Sequence, residues 1–211
     1  MHAQSYDRKG NHVRQDLFLG RVLLKVVTAG TTYFRHFGTS IPEIEIIYHF
    51  LSNVLGSVVE EKIATTGNLT PTVIEIHFPF LYGGDFFTLF GPDKWYKLKN
   101  VISDMKKRRG KSQMQIAFSF AGVSEVRSAT ATKLILQTLE SDYKNIEKAI
   151  DRVETLVELI KYQMPKMPAG VTEMTYSYES THSRWRPDVV KTDKRVYKCS
   201  NDNWRIVPDT F

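Results

Sequence analysis

Nine apolar residues at alternating spacings of three and four constrain this chain more than any other feature: Leu136, Leu139, Tyr143, Ile146, Ile150, Val153, Val157, Ile160 and Met164. That spacing predicts one long helix with a continuous apolar seam, ended by Pro165, Pro168 and Gly170. In a parallel two-stranded coiled coil, Asp142, Ala149 and Leu156 at the g positions would face Glu147, Glu154 and Lys161 at the e positions. None of those pairs is an attractive ion pair, so charge gives no partner selection. Ala149, Leu156 and Leu159 also widen the stripe beyond a coiled-coil seam. The reading is therefore a helix packed on the chain's own core.

The rest of the chain reads as strands and shorter helices. Phe18 to Thr28 alternates like a strand, and Thr65 to Pro71 reads as a loop. Ser40 followed by Glu43 forms a capping box that starts a helix with Ile44, Ile47, Leu51, Val54, Leu55 and Val58 on its core face. From Thr72 to Leu81, Ile74, Ile76, Phe78 and Phe80 point one way while Val73, Glu75 and His77 point the other. With Gly83-Gly84 as a tight turn, the span from Thr72 to Phe90 reads as a β-hairpin. Pro92 and Asp93 open a short helix carrying Trp95, Leu98, Ile102 and Met105. The run from Ser112 to Ala121 is the clearest strand, with Met114, Ile116, Phe118 and Phe120 inward and Gln115, Ala117 and Ser119 outward. Met174, Tyr176 and Tyr178 mark another, and a closing hairpin turns at Ser200-Asn201-Asp202-Asn203.

These elements predict a polar, flexible N-terminus over residues 1–16 and a single α+β domain over 17–211. In that domain a mostly antiparallel sheet is covered by one capped helix and one long heptad-patterned helix, with a basic and aromatic hairpin region at the C-terminal end.

The chain has 211 residues, 42% of them apolar, and a formal charge of +6. That excess favours acidic partners such as nucleic acid or an anionic leaflet. The lone Cys199 excludes an internal disulfide framework and points to a reducing, intracellular compartment. The polar N-terminus has no apolar core of the kind a secretory signal needs.

Two basic regions stand out. Lys106, Lys107, Arg108, Arg109 and Lys111 follow Lys94, Lys97 and Lys99, with Trp95 and Tyr96 among them. Arg184, Arg186, Lys194, Arg195 and Arg205 are interleaved with Trp185, Tyr197 and Trp204. Both suit contact with an anionic membrane or with nucleic-acid phosphates. Catalytic signatures are missing. Gly110-Lys111-Ser112 is followed by a strand rather than a helix, and Met105 stands where a phosphate-binding loop needs glycine. The six histidines have no metal-ligand spacing, and His49 and His77 read as structural. Neither a cofactor, a metal nor an enzymatic activity is expected.

A small basic chain that opens with a polar segment, runs strand then helix, and ends in Lys198-Cys199-Ser200-Asn201-Asp202-Asn203-Trp204-Arg205-Ile206-Val207 resembles the matrix proteins of rhabdoviruses. The proline-rich late-budding motif of many such proteins is absent. Their lysine-rich N-terminal arm is represented only by Arg8, Lys9 and Arg14. The resemblance implies a non-enzymatic virion structural protein that self-associates as a homo-oligomer and bridges nucleocapsid (nucleoprotein or RNA) and the inner face of a host membrane. The alternative is a nucleic-acid-binding module of the viral accessory or silencing-suppressor type.

Overall fold

A computed structural model describes residues 30–64, 71–124, 132–201 and 203–208. The expected N-terminal arm, the strand at Phe18 to Thr28 and nearly all of the loop at Thr65 to Pro71 lie outside the described residues. Among the described residues nine strands form one sheet: β1 (Thr32–Phe37), β2 (Val58–Lys62), β3 (Thr72–Tyr82), β4 (Met114–Val123), β5 (Lys133–Glu140), β6 (Val171–Glu179), β7 (Arg184–Thr192), β8 (Val196–Ser200) and β9 (Asn203–Val207). Their spatial order is β2-β1-β3-β4-β5-β6-β7-β8-β9. Five α-helices accompany them among the described residues: α1 (Ile41–Leu55), α2 (Gly84–Phe90), α3 (Pro92–Arg108), α4 (Tyr143–Asp151) and α5 (Leu156–Gln163).

The fold is α+β, but two parts of the expected architecture are corrected. The sheet is mixed, because β1–β2, β3–β4 and β5–β6 pair in parallel through helical crossovers. The long heptad helix does not exist. Leu136 and Leu139 belong to β5, where three-residue spacing puts them on opposite faces: Leu136 is buried and Leu139 is half exposed. Helix begins only after Asp142, whose carboxylate accepts the Lys144 backbone N–H at 2.9 Å. It then breaks between α4 and α5, where the Val153 carbonyl accepts the Tyr82 hydroxyl and the Arg152 carbonyl accepts Thr155 Oγ1 at 3.1 Å. Side chains there satisfy the carbonyls that a continuous helix would bond internally.

The expected hairpin after β3 is also corrected. Phe86 and Phe90, four residues apart, turn Gly84–Phe90 into α2 and pack on Phe78 at ring-centroid distances of 5.0 and 6.0 Å. Gly83 makes that corner possible, since a Cβ there would lie 1.9 Å from Ser124 Oγ. The other expected elements within the described residues form, although α3, expected to be short, is the longest helix among them at 17 residues. Glu43 caps α1, although Val58 lies in β2 rather than on that helix; α3, β4, β6 and the β8–β9 hairpin form where the patterns place them.

One face of the sheet carries Phe34, Ile74, Ile76, Phe78, Ile116, Phe118, Leu134, Leu136, Met174 and Tyr176, and all five helices contribute to the same hydrophobic cluster against it. The crossovers β3-to-β4 and β5-to-β6 progress the same way across the sheet in opposite strand directions. With their helices on one face, the two have opposite hands, so one is the rare left-handed form. This arrangement sets α4 beside α3, where Lys99 Nζ meets Asp151 Oδ1 at 2.6 Å.

Candidate nucleic-acid interface

The strand directions sort the basic residues between two ends of the sheet. At one end lie the start of β4, the end of β5, the C-terminus of α3 and the turn from β6 to β7. This end carries Lys106 to Lys111, Arg184 and Arg186. At the other lie the N-terminal part of α3, with Lys94 and Lys97, and the β7–β8 turn, with Lys194 and Arg195. Each end therefore gathers residues from both basic regions, and neither region keeps its residues together.

Several expected contact residues are engaged within the fold. The Arg109 guanidinium grips Glu43 with Nη1 at 2.6 Å from Oε1 and Nη2 at 2.5 Å from Oε2, and it also donates to Thr72 Oγ1, Gly38 O and Met105 O. Arg108 reaches the same carboxylate at 3.3 Å. Burial alone would raise the Glu43 carboxyl, but the bonds from Arg109 and from the Ser40 amide and hydroxyl outweigh it and hold it down at about 2. Lys99 is paired with Asp151, while Arg184 and Arg186 each donate to Glu179 at 3.2 Å. Lys94, Lys97, Lys111, Lys194, Arg195 and Arg205 have no side-chain ion pair with any described residue, and all six are exposed.

Around the α3 C-terminus the remaining lysines form a site. A cleft of about 720 Å³ runs between the α3–β4 turn and the β5–α4 turn, lined by Lys106, Lys107, Gly110, Lys111, Ser141, Asp142 and Tyr143. Lys106 lies at its base, 1% exposed, with Nζ donating to the Gly110 carbonyl. Burial pushes its ammonium below the usual lysine range, the Asp142 charge opposing this and the Arg109 charge adding to it. Lys107 crosses the Tyr143 ring with Nζ 4.9 Å from the centroid and lies 3.4 Å from both Asp104 and Glu147. Lys111 is exposed at the mouth. Such a cleft can admit an extended anion, and Tyr143 offers a ring beside it.

No family model, curated protein or solved structure matches this chain. The site must be read from its own chemistry. Among the described residues no cluster of three or more His, Cys, Asp or Glu side chains could hold a metal ion, and no helix is long and apolar enough to cross a membrane.

The sequence reading missed Ser141, Asp142 and Tyr143, because the false heptad absorbed them into a helix interior. It also missed an array on the sheet face opposite the helices. There Ser119 Oγ lies 2.6 Å from His77 Nδ1, His77 Nε2 lies 3.5 Å from Glu75, and Glu75 accepts Arg35 Nη1 at 2.9 Å. The outward positions of His77 and Ser119 were legible in their alternating runs. Their contact was not, because it depends on the parallel pairing of β3 with β4. Hydroxyl, imidazole and carboxylate thus stand in a row, although His77 Nε2 makes no hydrogen bond to the carboxylate. However, Ser119 sits mid-strand between His77 and Ile135, where the ladder engages the neighbouring backbone N–H groups that an oxyanion hole would need.

Proposed function

We propose that this chain is a non-enzymatic structural protein of the viral matrix type, which holds nucleocapsid RNA at one end of its sheet and an anionic leaflet at the other. The observation that carries this reading is the division of exposed basic residues between two opposite ends of different shape. At the first end, Lys106 lies at the base of a cleft. Lys106 itself is 1% exposed and out of reach of either ligand; a phosphodiester strand that enters the cleft meets the exposed Lys107 and Lys111. At the second end, Lys94, Lys97, Lys194 and Arg195 are exposed. At roughly 1 kcal/mol per basic residue near an anionic leaflet, such a set is sufficient for reversible attachment.

The test separates the two ends. RNA binding is followed by fluorescence anisotropy and membrane binding by co-sedimentation with phosphatidylserine-containing vesicles. Lys111→Glu is expected to weaken RNA binding and spare the vesicles, while Lys194→Glu with Arg195→Glu does the reverse. Equal loss of both activities in both variants, or binding to neither ligand by the native chain, overturns the reading. RNA binding without any vesicle binding leaves the nucleic-acid-binding module instead.

A further inference from the structure

The sheet has two open edges of opposite character. Among the described residues, β2 and β9 have no outer partner. The β2 edge, Val58-Val59-Glu60-Glu61-Lys62, is exposed from Val59 onward and carries two adjacent carboxylates. The β9 edge, Asn203-Trp204-Arg205-Ile206-Val207, carries Arg205 beside Lys198 of β8, with Ile206 59% exposed. Exposed edges of this kind template further strand pairing unless something blunts them.

We propose that the chain assembles head to tail, the β9 edge of one copy pairing antiparallel with the β2 edge of the next. Three features fit. First, β2 and β9 run in opposite directions, so a second copy placed beside the first in the same orientation, with its helices on the same face, meets it antiparallel. Second, the edges agree in phase. The Ile63 amide bonds inward to the His36 carbonyl, so alternation turns the backbone groups of Glu60 and Lys62 outward. On β9, the two-residue turn closed by Ser200 and Asn203 directs Arg205 inward and turns Trp204 and Ile206 outward. Third, the register that puts Glu60 opposite Ile206 also puts Glu61 opposite Arg205, Val59 opposite Val207 and Lys62 opposite Trp204. This gives one ion pair, one apolar pair and one cation over an indole, each of the kind that stabilises cross-strand neighbours.

Because the two surfaces differ, the contact is heterologous, and an uncapped copy remains at each end of the row. The proposal deepens the matrix-type reading and rests on it only for the role of the assembly. Neither edge contributes a residue to the lysine cleft, so failure of RNA binding and failure of assembly are separate results.

Sedimentation velocity of the full chain at rising concentration tests it. The native protein is expected to show a series of species that shifts continuously to larger size. Glu61→Arg and Arg205→Glu should each lose that shift, because each places like charges opposite each other at the junction. An equimolar mixture of the two variants should regain it, since Arg205 of the first then meets Glu61 of the second, and the introduced pair is complementary as well. Unfolding midpoints of both variants check that the fold is kept, and the mixture reads the junction independently of either variant alone. Three outcomes overturn the proposal: a native chain that stays monomeric up to its solubility limit; a closed dimer insensitive to Glu61→Arg; or a mixture no larger than its components.

Discussion

Glu43→Gln removes one charge from the knot that ties the start of α1 to the end of α3. The native carboxylate is 7% exposed and accepts bonds from Ser40 N at 3.0 Å, Ser40 Oγ at 2.8 Å and both Arg109 terminal nitrogens. Its pKa falls from 4.5 to about 2 on folding. At 1.36 kcal/mol per unit, a depression of about 2.5 units contributes about 3 kcal/mol. Because the folded value is the lower one, this contribution is complete above the unfolded value of 4.5 and is lost as pH falls through about 2. The amide keeps the shape and an acceptor but not the charge. Near neutral pH, urea unfolding should therefore show a loss of about 3 kcal/mol, a drop in Tm of roughly 6–12 °C for a domain of this size. By about pH 3.5 the difference between the two proteins should shrink to about 2 kcal/mol, with more lost below. A gap under about 1 kcal/mol near neutrality, or one that does not change on acidification, refutes the assignment of Arg109 as an internal partner of Glu43.

If the two exposed lysines of the cleft, Lys107 and Lys111, neutralise phosphates, the log–log salt slope for single-stranded RNA is about −1.4, so affinity should fall roughly sevenfold between 50 and 200 mM salt. For Lys111→Glu the residual slope should be near −0.7 and the fall about 2.5-fold; a slope unchanged by that substitution excludes Lys111 from the contact. In the core, Phe120→Ala removes a ring that meets Phe78, Tyr82 and Phe86 at 5.1, 5.1 and 4.9 Å. It should cost about 3–5 kcal/mol in denaturant unfolding. Tyr82→Phe deletes one of the two donors to the Val153 carbonyl at the break between α4 and α5, leaving the Leu156 N–H at 3.3 Å. A cost of about 0.5–1.5 kcal/mol is expected, with faster amide exchange across that break.

What the sequence made legible was local. The Ser40 and Glu43 pair marks a helix start because both partners lie within one turn. Met114, Ile116, Phe118 and Phe120 mark a strand because one buried face demands period two. The heptad failed because an apolar residue of β5 happened to stand at helical spacing from α4, and the Asp142 cap between them was overridden by the longer pattern. The site was obscured by a different cause. Arg109 and Glu43 are 66 residues apart and His77 and Ser119 are 42 apart, so their pairing depends on strand order rather than on neighbours in the chain. A basic run in the sequence does not distinguish Arg109, consumed by a carboxylate, from Lys111, which is free to meet a ligand.

Edges and ends of a sheet are perpendicular, and this determines what an assembled row would present. Nine strands at about 4.8 Å spacing place successive copies about 43 Å apart along the row. A twist of roughly 20° per strand, carried across nine strands, turns each copy by about 180° relative to the last. The lysine clefts would then alternate from one side of the row to the other, as would the turns that carry Lys194 and Arg195. Such a row cannot lay all its basic turns on one flat leaflet, but its clefts would wind helically, which suits a polyanion that itself winds. If the proposed row forms, leaflet contact would fall to the unassembled chain or to copies at intervals along the row, and edge pairing would favour the proposed nucleocapsid role over the membrane one.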